Sequence, residues 1–426
     1  MTLRSLTRQG WTTGRIKNLI SEAKNGVWGD DPLDENTGIK CVRAADFNRQ
    51  RLSVNPANLP TREIEEKVAA AHRLRPGDLI LEKSGGGEKQ PAGAAVLFDL
   101  DIQAVCSNFC ARLRPTSDTD PRFLKYVLAS AYYSGITAQN VKQTTGIQNL
   151  DMGAFLATSW TYPSHREQRC IADFLDVETA RIDDLDWQRK RQIIAIEERH
   201  RRALSDEFEA LIDAPRPRLG YLCSIQTGIT VDGARTKDET SVTRPYLRVA
   251  NVQAGRLNLD AVYEITVPRA MAAGSTLRKG DVLMTEGGDL DKLGRGTVWG
   301  GEIAECLHQN HVFALRVSTD RLLPAFLALF TQAVAARMHF ESTGNKTTNL
   351  ASTSSAKIRD LRIPLPALRR QHEIVNEISS MALSAESVLE ALARQRALLA
   401  ERRSALITAA VTGRIDLATG RGADQS

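Results

Sequence analysis

The sequence holds no stretch approaching the roughly 18–20 uninterrupted apolar residues of a membrane span, and Met1-Thr2-Leu3-Arg4 opens no apolar run followed by small residues. A cytoplasmic, unprocessed chain is expected. Cysteine is sparse: Cys41, Cys106, Cys110, Cys170, Cys223 and Cys306 lie scattered through 426 residues, unlike the dense framework of a small secreted domain, so reduced thiols are the default. Charge of one sign is not in large excess either. A net +5 permits a nucleic-acid partner without demanding one.

Catalytic signatures are missing as well. Neither Gly85-Gly86-Gly87 nor Gly294-Arg295-Gly296 completes the G-x-x-x-x-G-K-[ST] pattern that cradles nucleotide phosphates, which argues against an ATPase. Asn55-Pro56-Ala57-Asn58 lacks the aromatic residue that an amino-methyltransferase places after proline to hold a flipped base, and no glycine fingerprint for adenosylmethionine accompanies it. Asp46 with Glu65-Glu66-Lys67 has the residue types of a metal-dependent nuclease, but Thr61–Lys67 reads better as an exposed helical turn. Cys306-Leu307-His308-Gln309-Asn310-His311 invites a zinc reading. Zinc needs about four ligands, no second pair is evident, and a half-buried strand is the better reading. No catalytic residue, metal ligand or cofactor is assigned to this chain.

What is present is a long internal repeat. Pro121-Arg122-Phe123-Leu124 recurs as Pro324-Ala325-Phe326-Leu327, and Leu74-Arg75-Pro76-Gly77-Asp78 as Leu277-Arg278-Lys279-Gly280-Asp281, each 203 residues later. Gln168 and Ile171 match Gln371 and Ile374, and Arg15 with Leu19 match Arg218 with Leu222, at the same offset. Elsewhere the register drifts, as loop insertions make it do: Arg43-Ala44-Ala45-Asp46 pairs with Arg248-Val249-Ala250-Asn251. A repeat this long is a domain plus something.

The something is a pair of helices. Residues ~166–212 and ~369–411 contain no Pro and no Gly and are dense in Ala, Leu, Glu and Arg. In the second, Ile374, Ile378, Met381, Ala385, Val388, Leu392, Gln395, Leu399, Arg402 and Leu406 alternate steps of four and three, the seam of a coiled coil. The matching first seam is Ile171, Leu175, Glu178, Ile182, Leu185, Arg189, Gln192, Ile196, Arg199 and Ala203. Each helix would extend on the order of 60–70 Å. Tyr162-Pro163 and Ile363-Pro364-Leu365-Pro366 mark the thresholds where domain meets helix.

The globular parts alternate short apolar strands with turns, as in Asp78-Leu79-Ile80-Leu81 and Asp281-Val282-Leu283-Met284, which predicts an α+β class with two tandem homologous domains. The boundaries read as 1–163 for the first domain, 164–213 for the first long helix, 214–366 for the second domain, 367–413 for the second long helix and 414–426 for a tail. Polar residues concentrate in two loops per copy, Glu82–Gln90 and Asn140–Gly146 in one, Glu286–Arg295 and Ser342–Asn349 in the other. Their types suit phosphates and base edges, with glycine permitting close backbone approach, although solvated hairpins would look similar. The candidate contacts are Arg43, Lys83, Ser84, Lys89, Gln90, Lys142, Gln143, Thr144 and Thr145, then Arg248, Asn251, Lys292, Arg295, Asn345, Lys346, Thr347 and Thr348. The candidate helix and subunit interface is Ile171, Leu175, Ile182, Leu185, Ile196, Ile374, Ile378, Met381, Val388, Leu392, Leu399 and Leu406.

Tyr162-Pro163-Ser164-His165-Arg166-Glu167-Gln168-Arg169-Cys170-Ile171-Ala172-Asp173-Phe174-Leu175-Asp176, followed by Thr179-Ala180-Arg181-Ile182-Asp183, resembles the conserved-region motif of Type I restriction-modification specificity subunits. So do Pro364-Leu365-Pro366 through Gln371 and Ile374, and the tail Leu406–Leu417. The resemblance covers nearly the whole chain. It implies two target-recognition domains that each read one half of a bipartite double-stranded DNA sequence, held apart by an antiparallel pair of the long helices. It further implies two methyltransferase subunits docked along the helices, restriction and translocase subunits joining for cleavage, and S-adenosylmethionine, ATP and Mg held by those partners. One departure is Ser205-Asp206-Glu207-Phe208-Glu209-Ala210-Leu211, where the family's first helix ends in small residues. A coiled-coil scaffold whose domains bind proteins is the alternative, and a stand-alone nuclease comes third.

Overall fold

The computed structural model describes residues 10–32, 38–87, 90–144, 147–230, 240–288, 293–346, 351–416 and 421–422. It mixes helix and strand, and its two longest helices are His165–Glu209 and Leu368–Val411. The chain divides into two compact units, one of residues 1–190 with 393–426 and the other of 191–392. The division falls inside both long helices instead of at their proline thresholds.

The first unit is built on a six-stranded sheet, in the order Ile20–Asn25, Cys110–Pro115, Leu79–Glu82, Ala95–Leu97, Ser53–Val54, Phe47–Asn48. The apolar run Leu79-Ile80-Leu81 is unbroken because both faces of the sheet are covered. Leu79, Leu81 and Leu113 join the core under the helix Pro121–Tyr133, while Ile80, Val96 and Cys110 point to a second core with Val42 and Phe98. A smaller sheet places Ile39–Val42 between Ala104–Cys106, parallel to it, and Thr61–Arg62.

The repeated Leu-Arg-x-Gly-Asp segment explains itself in this setting. Gly77 takes φ +96°, which only glycine adopts without strain, and its N–H donates to Phe98 O at 2.8 Å. Asp78 is 2% exposed; it accepts from Arg75 N at 2.8 Å and from Arg114 through Nε at 2.9 Å and Nη2 at 2.8 Å. One carboxylate thus closes the turn and ties the strand it starts to the neighbouring strand.

The second unit, taken by itself, repeats this plan. Its sheet runs Cys223–Thr227, Val312–Val317, Val282–Thr285, Gly296–Val298, with Val282 and Met284 in one core and Leu283 in another. Gly280 has φ +93° and donates to Trp299 O at 2.8 Å. Asp281 accepts from Arg278 N at 2.9 Å and from Arg316 Nε and Nη2 at 2.9 and 3.2 Å.

Each long helix is fastened to its own domain by a buried glutamine. Gln168 accepts from Asp120 N at 3.0 Å and donates to Pro163 O and Asp118 O at 3.0 and 3.3 Å. Gln371 accepts from Leu323 N at 2.9 Å and donates to Arg321 O and Pro366 O, both at 2.9 Å. Both amides leave the first helical turn no freedom to swing, because any rotation strands three buried polar groups.

Along the helices the observed buried line departs from the expected seam. Ile171, Leu175, Ile182, Ile374, Ile378 and Leu392 are buried, Ile196, Leu399 and Leu406 half-buried, and Leu185, Met381 and Val388 exposed. In the first unit the line runs through Thr179 instead of Glu178 and through Arg403 instead of Arg402, and at its end Ile407 is buried beside the half-buried Leu406. A strict seven-residue spacing slips about 20° per heptad on a straight helix of 3.6 residues per turn, so burial spreads onto positions beside the seam. The exposed Leu185 gives way to Asp186, which pairs with Arg396 at 2.7 Å, and Asp183 pairs with Arg403 at 3.2 Å. Within this unit the two helical segments therefore run in opposite directions. Replacing Gln371 by leucine, which fills the space but pairs with nothing, is expected to lower unfolding free energy by about 2–3 kcal/mol in urea titrations, the cost of unpaired buried groups. A surface replacement such as Arg369→Ala, at a side chain 91% exposed, should change it little.

Candidate nucleic-acid interface

The two polar loops of each half meet. In the first unit Ser84–Gly85 pairs with Ile147–Leu150, which pairs in turn with Val141–Thr144, so both loops become edges of one three-stranded antiparallel sheet. Ser84 Oγ donates to Asn149 Oδ1 at 2.7 Å, and Gln148 Oε1 accepts from Ala92 N at 3.0 Å. Gly86 has φ +68°, and a Cβ there would lie 2.5 Å from Ala92 N, so the turn cannot accept a side chain without moving. In the second unit Gly287–Gly288 pairs with Ala351–Ser352, which pairs with Asn345–Lys346.

The sequence-picked residues fall into three groups. Lys83, Ser84 and Arg295 are half-buried, and Gln90, Lys142 and Asn345 are exposed on these hairpins. Lys142 forms a solvent-exposed ion pair with Asp151 at 2.9 Å, and Lys357 Nζ reaches Asn345 Oδ1 at 2.9 Å. Lys89, Thr145, Lys292, Thr347 and Thr348 lie outside the described residues, and of Gln143, Thr144 and Lys346 only the backbone is described. The remaining three belong to a turn that both units share. Arg43 N donates to Asp46 Oδ2 and Arg248 N to Asn251 Oδ1, both at 2.8 Å. Asn251 is 4% exposed and donates to Asn258 O and Ala261 O, so it closes a turn and has no donor left for a base edge. Arg43 grips Asp46 with two nitrogens, and Arg248 stacks 3.5 Å above the Tyr263 ring. The repeat in this segment is thus explained by turn closure, and Asn251 is withdrawn as a contact.

Sequence reading missed the hollows beside the first hairpin. One, of about 920 Å³, is lined by Ala44, Ala45, Phe47, Arg49, Glu82, Gly86, Gly87 and Gln90. A second, of about 510 Å³, shares Ala44, Ala45, Glu82 and Gly86 with it and adds Trp28 and Phe109. Phe109 is 50% exposed, an unusual place for that side chain. Its backbone slot, fixed by Lys83 N donating to Phe109 O at 2.9 Å, holds His311 in the second unit, where Glu286 N donates to His311 O at 2.9 Å. Burial pushes the Glu82 carboxyl above its ordinary range, against the pull of Arg49.

The Cys306–His311 segment has a structural use. His308 is fully buried, one ring nitrogen 2.7 Å from Val312 O and the other 3.0 Å from Gln226. His311 pairs with Glu286. Among the described residues no three His, Cys, Asp or Glu side chains gather as metal ligands.

No protein-family model matches the sequence. The EcoKI specificity subunit, a Type I restriction enzyme protein of Escherichia coli strain K12, is 23% identical over 338 residues, covering 75% of this chain and 71% of that protein. The StySPI specificity subunit of Salmonella potsdam is 21% identical over 333 residues with the same coverage. Among solved structures, a chain described in work on complex assembly and conformational transition of the type I R-M system superposes with TM-score 0.68 at 17% identity. That match covers 95% of this chain and 98% of the other. The resemblance carried by the Tyr162–Asp183 and Pro364–Ile374 motifs thus stands: the curated relatives are Type I specificity subunits, and this chain shares the fold of the type I R-M protein.

Burial holds the His308 imidazole below its ordinary 6.5. The folded state therefore refuses a proton that the unfolded state accepts, so the stabilisation is intact above pH 6.5 and is lost as pH falls below it. The stability advantage of the parent over His308→Gln is expected to shrink between pH 7 and pH 5 in denaturant titrations. An advantage constant with pH would exclude a neutral buried imidazole.

Proposed function

We propose that this chain is the sequence-specific, double-stranded-DNA-binding specificity subunit of a Type I restriction-modification complex. The observation that carries the reading is the joining of two sequence-distant, Gly-, Lys-, Asn- and Thr-rich hairpins into one small sheet, once in each unit. Such an edge offers backbone N–H groups and short polar side chains for phosphates, with longer ones for base edges. Each unit reads one half of a bipartite target. The two long helices act as an antiparallel coiled coil whose length sets the spacer between the half-sites, a reading supported by the opposed ion pairs Asp183–Arg403 and Asp186–Arg396.

The exposed apolar side chains Val177, Leu185, Trp187, Ile194, Leu383 and Leu398 on those helices suit docking of partner subunits, since large apolar groups in solvent mark interaction surfaces when they cluster. Two methyltransferase subunits and the restriction and translocase subunits are the partners in this account. S-adenosylmethionine, ATP and Mg belong to them, and this chain contributes no catalytic group. No described helix is long and apolar enough to cross a membrane.

The chain assembled with its cognate methyltransferase is expected to bind duplex DNA with an affinity that falls on the order of a thousandfold between 50 and 200 mM salt, as phosphate contacts release counterions. Fluorescence anisotropy on a labelled duplex reads this directly. An assembly that binds no duplex at any salt is a protein scaffold, not a DNA reader.

A further inference from the structure

The two units share a scaffold, and that sharing separates what holds the fold from what does not. The Asp78–Arg114 and Asp281–Arg316 clamps, the Gln168 and Gln371 fastenings and the Arg43 and Arg248 turns occur in both. The ion pair between Arg49 and Glu82 occurs in one. In the first unit the turn between Phe47–Asn48 and Ser53–Val54 has four residues, Arg49–Leu52; in the second the turn between Val252–Gln253 and Arg256–Leu257 has two, Ala254–Gly255. Glu82 ends the strand Leu79–Glu82, and Thr285 ends its counterpart Val282–Thr285.

The pair also lies where a ligand can reach it. Arg49 Nη2 meets Glu82 Oε2 at 2.9 Å at the bottom of the larger hollow, whose walls are the short side chains of Ala44 and Ala45 and the bare backbone of Gly86 and Gly87. Glu82 is 4% exposed and Arg49 28%, so the carboxylate holds the guanidinium from beneath. Arg49 Nη1 is enclosed beside Tyr132, so the part of Arg49 open to a ligand lies elsewhere on the side chain. Oε1 of Glu82 lies 3.5 Å from where a Cβ of Gly85 would stand, on the hairpin side.

We propose that Arg49, oriented by Glu82, is a specificity-determining residue of the first unit and reads a G·C base pair. The inference rests on the DNA-reading function proposed above. Guanine presents two acceptors, O6 and N7, in the major groove, and an arginine fork is their usual partner. Among the described residues the second unit does not reproduce this arrangement, so the effect is confined to one half-site.

The test is methylome sequencing of a host carrying the cognate methyltransferase with the full-length parent, Arg49→Lys or Arg49→Gln. Lysine keeps the charge beside Glu82 and loses the fork. With either variant, one G·C position in one half-site should become degenerate, with its preference over other base pairs reduced about tenfold or more. The other half-site and the spacer should persist, which certifies folding and assembly. An unchanged motif with both variants overturns the proposal. Loss of all methylation by a chain that melts like the parent and still binds the methyltransferase overturns it equally, because Arg49 would then serve affinity for any duplex. If the parent itself yields no split motif, the DNA-reading function fails first, whatever Arg49 does.

Discussion

The buried Asp–Arg clamp is the constraint on which the candidate interface depends. Asp78 in the first unit and Asp281 in the second are each 2% exposed, each closing a glycine turn and each gripping an arginine on the adjacent strand. A carboxylate removed from water is costly unless its lone pairs are matched, and here the turn amide and two guanidinium nitrogens match them. The strand that starts at the clamp ends four residues later at Glu82 or Thr285, and the hairpin follows directly. Because side chains alternate faces along a strand, fixing its start fixes which way the hairpin leaves its end.

Duplication makes the chain its own comparison. Where both units keep the same residue in the same contact, the contact serves the fold: Gln168 and Gln371 each satisfy one N–H and two carbonyls at a helix start. Where the backbone slot is kept and the residue changes, the shared frame does not dictate the choice. Phe109 and His311 occupy one such slot, Glu82 and Thr285 another, and all four border the hairpins. Two readers of different half-sites need that combination of a constant frame and variable tips.

Much of the frame was legible in the sequence because its signals are local. Helix formers without Pro or Gly gave the two long helices, and the Leu-Arg-x-Gly-Asp recurrence gave the position of the clamps. At Glu178 and Arg402 the spacing falls one residue out of phase with the buried line, since spacing alone does not say which of two neighbouring positions faces the partner helix. Asn251 was misjudged for a related reason. A polar residue recurring beside arginine reads equally as a contact or a turn cap, and only burial distinguishes them. The Arg49–Glu82 hollow was invisible because its two members are 33 positions apart and meet only when the sheet forms.

The central claim is that one chain carries two independent readers and one ruler. The most direct test replaces residues 15–160 with the matching domain of a Type I specificity subunit and sequences the methylome of a host carrying the assembled complex. The account predicts that one half of a split methylation motif changes while the other half and the spacer stay as they were. An active assembly that methylates no split motif, or one in which both halves change together, contradicts it.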